Sequence, residues 1–213
     1  MARTRQLLAA AALLLPTTLQ AWTGISAFVG EDRVDWAFNA GSRTAESFNY
    51  GLSIEDKTRA GLRIGVAAGR FGLDIKDPGQ GLIEEFAGEF VQLYLRWPFT
   101  FGDHLTLHTR FDYRFQRGDD GDSVNVNEVE WTERSLSTGL ALRYGLVSVQ
   151  PFARYLSSDG DIRSGSSGES FRIDEHTSHG LIIDLHVEKT AYVRLRSEFS
   201  MVESLQIHFV RAF

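Results

Sequence analysis

Leu105 to Phe115 reads LTLHTRFDYRF, and this stretch decides the fold. Leu105, Leu107, Thr109, Phe111, Tyr113 and Phe115 fall at one parity, and Thr106, His108, Arg110, Asp112 and Arg114 at the other. Side chains of a strand alternate between its two faces, so one face is apolar and aromatic and the other densely charged. A soluble sandwich would bury the apolar face and wet the charged one. A transmembrane barrel turns the same pattern inside out, with lipid against the apolar face and the charges in the lumen. Alternation alone fits both architectures.

The pattern recurs outward from this segment in both directions. Phe48, Tyr50, Leu52 and Ile54 alternate with Asn49, Gly51, Ser53 and Glu55, and Leu62, Ile64, Val66 and Ala68 with Gly61, Arg63, Gly65 and Ala67. Val91, Leu93, Leu95 and Trp97 alternate with Gln92, Tyr94 and Arg96, and Leu136, Thr138, Leu140 and Leu142 with Ser137, Gly139, Ala141 and Arg143. The same holds around Val147 to Arg154, Leu181 to Val187 and Val193 to Phe199. Ile25 to Phe38 is less regular and reads as a strand with a bulge. Tight connections at 55–59, 97–104, 144–146 and 188–191 alternate with more polar ones at 40–45, 74–84, 118–127 and 157–170. A short final loop falls at 200–204. Such alternation of short and long connections suits an antiparallel barrel of about ten strands, with eight as the alternative, and with both termini at the periplasmic end.

Bulk properties narrow the choice. The chain has 213 residues, enough for one domain, with 43% hydrophobic residues. Its mean hydropathy is only -0.17, as expected where apolar residues are diluted by alternation. A net charge of -6 argues against a nucleic-acid surface. The absence of cysteine excludes disulfides and thiolate metal sites, and suits passage through an oxidising compartment.

The first 21 residues, MARTRQLLAAAALLLPTTLQA, read as a cleaved signal peptide. Arg3 and Arg5 form a basic start, Leu7 to Leu15 an apolar run too short to span a bilayer, and Pro16 a break before Ala21. Residues 22–213 then form the barrel domain.

The chain stops at LQIHFVRAF, with Leu205, Ile207, Phe209 and Phe213 on one face. This end resembles the closing-strand signature of small bacterial outer-membrane β-barrels: a terminal aromatic carboxylate preceded by apolar residues at alternate positions. The resemblance implies an all-β, antiparallel transmembrane barrel in the cell outer membrane of a Gram-negative cell. It also implies contact with outer-membrane lipids and lipopolysaccharide, and recognition by the barrel-assembly machinery after delivery by periplasmic chaperones. Arg211 departs from the signature, standing where an apolar or tyrosine side chain is commoner; near a membrane boundary it can snorkel to the interface. Aromatics fall in two groups, as expected for interfacial girdles: Trp97, Phe99, Phe101, Tyr144, Tyr192 and Phe213 at one end, and Phe48, Phe71, Phe115, Trp131, Tyr155 and Phe199 near the other.

Alternation predicts a lumen lined by Glu55, Arg63, Arg96, His108, Arg110, Asp112, Arg114, Arg143, Arg154, Asp184, Arg194, Arg196 and Glu198. A narrow barrel leaves little space once such side chains pair, which favours a closed, salt-bridged interior over an anion-preferring channel. Two constellations invite an enzymatic reading. Asp184 and His186 resemble the paired Asp and His of omptin proteases, but they stand beside the periplasmic turn and lack a second acidic pair. Glu175, His176, Ser178 and His179 resemble the serine–histidine–acid set of outer-membrane lipid A deacylases, without the surrounding motif. Asp119, Asp120 and Asp122, and Asp159 and Asp161, carry calcium-type ligands but complete no loop signature. The expectation is therefore a monomeric, non-enzymatic barrel with no catalytic residues, metal or cofactor and no nucleic-acid partner, acting structurally or through its surface. A lipid-modifying enzyme is the further alternative.

Overall fold

The computed structural model describes residues 23–76, 83–121, 126–164, 167–173, 177–200 and 202–213. The signal peptide read over 1–21 lies outside them, as do Asp122, Glu175 and His176. Eleven strands follow in chain order: β1 (Thr23–Phe38), β2 (Gly41–Lys57), β3 (Arg63–Lys76), β4 (Ile83–Phe101), β5 (Leu105–Asp119), β6 (Asn127–Tyr144), β7 (Val147–Ser164), β8 (Ser167–Ile173), β9 (Thr177–His186), β10 (Ala191–Ser200) and β11 (Val202–Ala212).

Ten of them close a barrel. Each pairs antiparallel with its neighbours in the order β1 to β7, then β9, β10 and β11, and β11 returns to β1. The closing ladder runs from Gly24 opposite Ala212 to Val34 opposite Val202. Phe213 extends it, exchanging backbone hydrogen bonds with Thr23 at 2.9 and 3.3 Å. Closure removes both sheet edges, which lipid could not satisfy.

The remaining strand changes the barrel's width along its axis. Thr23, the first described residue, and Phe213 lie at one end, here called terminal. Toward the opposite, distal end the hairpin of β10 and β11 stops at Ser200–Val202, while β1 and β7 continue. There β8 pairs on one side with β7, from Asp159 opposite Arg172 to Ser164 opposite Ser167. On the other side it pairs with β1, placing Trp36, Ala37 and Phe38 opposite Ile173, Arg172 and Phe171. Ten strands thus form the terminal part of the wall and eight, β1 to β8, the distal part. Barrel diameter falls with strand number, and eight strands leave an interior that side chains fill.

The polarity of the wall inverts where the barrel narrows. On β3 the outward residues run Ile64, Val66, Ala68 and then Arg70, Gly72, Asp74, while the inward ones run Arg63, Gly65, Ala67 and then buried Phe71, Leu73 and Ile75. On β4 the outward face passes from Leu95, Leu93 and Val91 to Glu89 and Glu85, while Phe90 and Phe86 turn inward and are buried. The outward apolar spans, such as Val91–Phe101 and Leu136–Tyr144, match the roughly 9–11 residues that a tilted strand needs to cross a bilayer. Strands of 18 and 19 residues exceed that length and continue beyond the belt.

This inversion corrects several expectations. The polar stretches at 40–45 and 157–170 are strand in most of their described residues, and the ladders run into 74–84 as far as Lys76 and from Ile83, and into 118–127 as far as Asp119 and from Asn127, because an outward polar face is what a strand outside lipid should carry. The connection between β1 and β2 is only Asn39 and Ala40. At the terminal end, Trp97, Phe99 and Phe101 belong to β4 rather than a turn, with Trp97 and Phe99 stacked outward at 5.6 Å. β1 contains no bulge, since all of Thr23 to Phe38 pairs in register with Asp56 to Gly41. Its irregular look arose because outward Ile25, Ala27 and Val29 give way to Glu31, Arg33 and Asp35. Phe71 and Trp131 leave the expected distal girdle and point inward, both buried. Phe48, Tyr155 and Phe199 remain exposed outside.

The belt makes a testable statement. Leu52, outward and 62% exposed at mid-belt, changed to Arg should destabilise the barrel in phospholipid vesicles by about 2–4 kcal/mol. Glu85→Arg, on the same outward face beyond the belt, should shift stability by no more than about 0.5 kcal/mol in the same denaturant titration.

Candidate functional site: the lumen

Two layers fill the barrel. The distal layer is apolar. Trp36 stacks on Phe171 with centroids 3.9 Å apart, and Trp131 meets Trp36 and Phe71 edge-on at 5.4 and 5.0 Å. Phe38, Leu73, Ile75, Phe86, Val129, Leu156, Ile162 and Ile173 complete a buried cluster around them. These rings come from β1, β3, β6 and β8, so the plug bridges the narrowed ring from several walls.

The second layer, toward the terminal end, is ionic. Arg194 holds Asp184 through two donors at 2.7 and 2.8 Å. Arg110 holds Asp112 with contacts of 2.6 to 3.1 Å, and Gln92 and Ser135 also donate to that carboxylate. Glu198 accepts from Arg196 at 2.6 and 3.0 Å and from Ser178 at 2.8 Å, with Arg154 2.8 Å away. Arg63 pairs with Glu55 at 3.1 Å. Bidentate forks of this kind satisfy geometry as well as charge, which buried ions require.

Arg114 takes a different partner. Its guanidinium donates to Asn49 at 2.6 Å and lies over the Phe90 ring at 4.1 Å. Arg96, buried, contacts the ring nitrogens of His108. Arg143 stands apart from the other arginines, exposed beside the turn at Gly145.

Two lumen carboxylates escaped the sequence reading. Asp32 accepts from Asn49 at 2.8 Å and from Gln206 at 3.2 Å, tying β2 and β11 to β1 across the closing seam. It lay in the segment whose pattern looked broken. Glu133 accepts from Gln116 and from the Trp131 indole, each at 3.0 Å, and so links the ionic layer to the plug. Its parity with Ser135 and Ser137 was the available signal.

Glycine sets one of these positions. A side chain at Gly65 would collide with the ring of Tyr94 on the adjoining strand. The bare backbone lets that ring lie against the wall, where it carries the Arg110 guanidinium at 4.2 Å.

The enzymatic constellations look different in place. Both oxygens of Asp184 are engaged by Arg194, and the His186 ring packs near Tyr192 at 5.2 Å. Ser178 spends its hydroxyl proton on Glu198, and His179 projects outward with an exposed side chain. Of the acidic groups, Asp161 accepts from Ser170 and Asp120 from the Asn127 amide. Among the described residues no group of three or more metal-binding side chains converges.

Comparison with known proteins bears on the fold. No protein-family model matches the chain, and no curated protein does. An outer membrane channel from Pseudomonas putida F1 matches 93% of this chain and 97% of its own, with 11% identity and a TM-score of 0.51. The transport unit of the autotransporter AIDA-I from Escherichia coli matches 99% of this chain and 96% of its own, with 9% identity and a TM-score of 0.50. The fold is that of the bacterial outer-membrane β-barrels, and at these identities the likeness speaks for the fold alone.

Glu198 is shared by two arginines of the layer, Arg154 and Arg196. Glu198→Ala should cost about 3–5 kcal/mol of unfolding free energy, because it leaves Arg154 and Arg196 buried without their anion. Arg143→Ala should change the same measurement by less than about 0.5 kcal/mol.

Proposed function

We propose that this chain is a closed, non-enzymatic barrel of the outer membrane, acting structurally or through surface interaction. On this reading the eight-stranded distal rim stands outside the bilayer on the cell surface, and the terminal end faces the periplasm. The observation that carries it is the aromatic plug of Trp36, Phe71, Trp131 and Phe171 across the narrowed ring. Water and ions crossing there would have to part close-packed rings, which is costly. The ionic layer supports the same reading, since Arg194–Asp184, Arg154–Glu198 and Arg63–Glu55 tie different strands of the wall together. The rim then serves as a rigid platform, held by ladders rather than long loops.

Its partners follow from its surfaces. The outward belt meets outer-membrane lipids and lipopolysaccharide. The outward row of Leu205, Ile207 and Phe209 on β11, with Phe213 just after it, is the segment offered to the barrel-assembly machinery and periplasmic chaperones.

Planar-bilayer recording tests the proposal. The unaltered protein should give no reproducible current steps, whereas Trp36→Ala combined with Trp131→Ala should open measurable conductance. A steady anion current through the unaltered protein would overturn the closed reading in favour of a narrow channel.

A further inference from the structure

Between the plug and the terminal end the lumen keeps a cavity of about 130 Å³. Six arginines but only three carboxylates line it among the described residues. Asp184 and Glu198, set behind the lining, hold Arg194, Arg154 and Arg196, and the crowding that leaves Arg96 without an ion pair is local. Arg63, Arg96 and Arg110 occupy directly opposed positions on β3, β4 and β5, all facing inward. Like charges placed opposite one another destabilise a ladder unless something neutralises them.

Arg63 and Arg110 have their carboxylates, Glu55 and Asp112. Arg96 has none among the described residues. Its guanidinium meets only His108, at 3.3 and 3.5 Å, and a neutral imidazole offers a single acceptor to a group with five donors. Arg96 is nonetheless only 8% exposed; Arg194 and Arg63 repel it, and Glu55 attracts it without closing an ion pair. A cation so placed calls for an anion.

We propose that the cavity binds a small phosphate-type oxyanion, held by Arg96 with Arg110 and Arg194. A tetrahedral oxyanion matches the planar fork of arginine and supplies the acceptors that His108 cannot. The volume suits a free ion or a small phosphomonoester and excludes a lipid tail. The plug closes the distal side, so the ligand enters from the terminal end. Tyr94, flattened over Gly65, holds Arg110 toward the space, and Asp184 holds Arg194.

The test uses the full chain folded in a maltoside detergent, titrated with inorganic phosphate at constant ionic strength, with chloride as the balancing anion. Saturable broadening of the phosphate 31P resonance and a rise in Tm are expected, with no rise in chloride alone. Arg96→Gln should weaken the apparent affinity about tenfold or more, and Arg143→Gln should leave it unchanged. Should Arg96→Gln lose the heat-modifiable gel shift of a folded barrel, Arg96→Lys replaces it, keeping the charge but not the fork, with the same weakening expected. Absence of saturable broadening in the unaltered protein, or undiminished affinity in the Arg96 variants, overturns the proposal. The result is separable from the conductance test: phosphate binding by a conducting barrel would leave this site standing and remove only the closed reading.

Discussion

Everything in this barrel depends on the pairing of β1 along its outer edge. No single strand covers that edge. β11 takes it from Gly24 to Val34, and β8 takes it from Trp36 to Phe38. A gap between them would leave backbone donors and acceptors unpaired beside lipid or at the rim, at several kcal/mol per group. The hand-over from one partner to the other fixes where the wall changes from ten strands to eight. That change decides how wide the lumen is, and hence which side chains can fill it.

The two fillings answer different surroundings. Where lipid touches the outer face, apolar side chains go outward and the polar ones must satisfy one another inside. Where water touches the outer face, the rule returns to that of a soluble protein, with a hydrophobic core. Glu133 stands at the border, bound to Gln116 in one layer and to the Trp131 indole of the other. The ionic layer and the plug are thus coupled by hydrogen bonds as well as by the shared wall.

Parity was the most legible property of the sequence, because alternation is steric and survives any environment. It placed Arg110, Asp112, Arg154, Arg194, Arg196 and Glu198 on one side of their strands without ambiguity, and the aromatic end at Phe213 pointed to closure. Polarity was less legible. Reading every apolar face as lipid-facing put Phe71 and Trp131 in a girdle, whereas they lie inside because their strands have already left the belt. Ser157 to Ser170 reads as a loop by composition, since Ser, Gly and Asp are turn formers. Its ladder partners on β6 and within β7 and β8 hold it as strand instead. The bridge of β8 to β1 is a pairing between segments far apart in the chain, and no local pattern announces such a choice. That Arg96 is left without a carboxylate fork is likewise a matter of register across three strands.

The hand-over on β1 also bears on how the molecule is put together. The distal ring uses no residue beyond Ile173, so its circuit of ladders is complete without the last hairpin. The wider circuit exists only once β9, β10 and β11 are in place. Closure is therefore made twice, by seams that share a strand but no hydrogen bond. A chain lacking its final strand would lose one circuit and keep every rung of the other, a topological redundancy that a barrel of constant strand number does not possess.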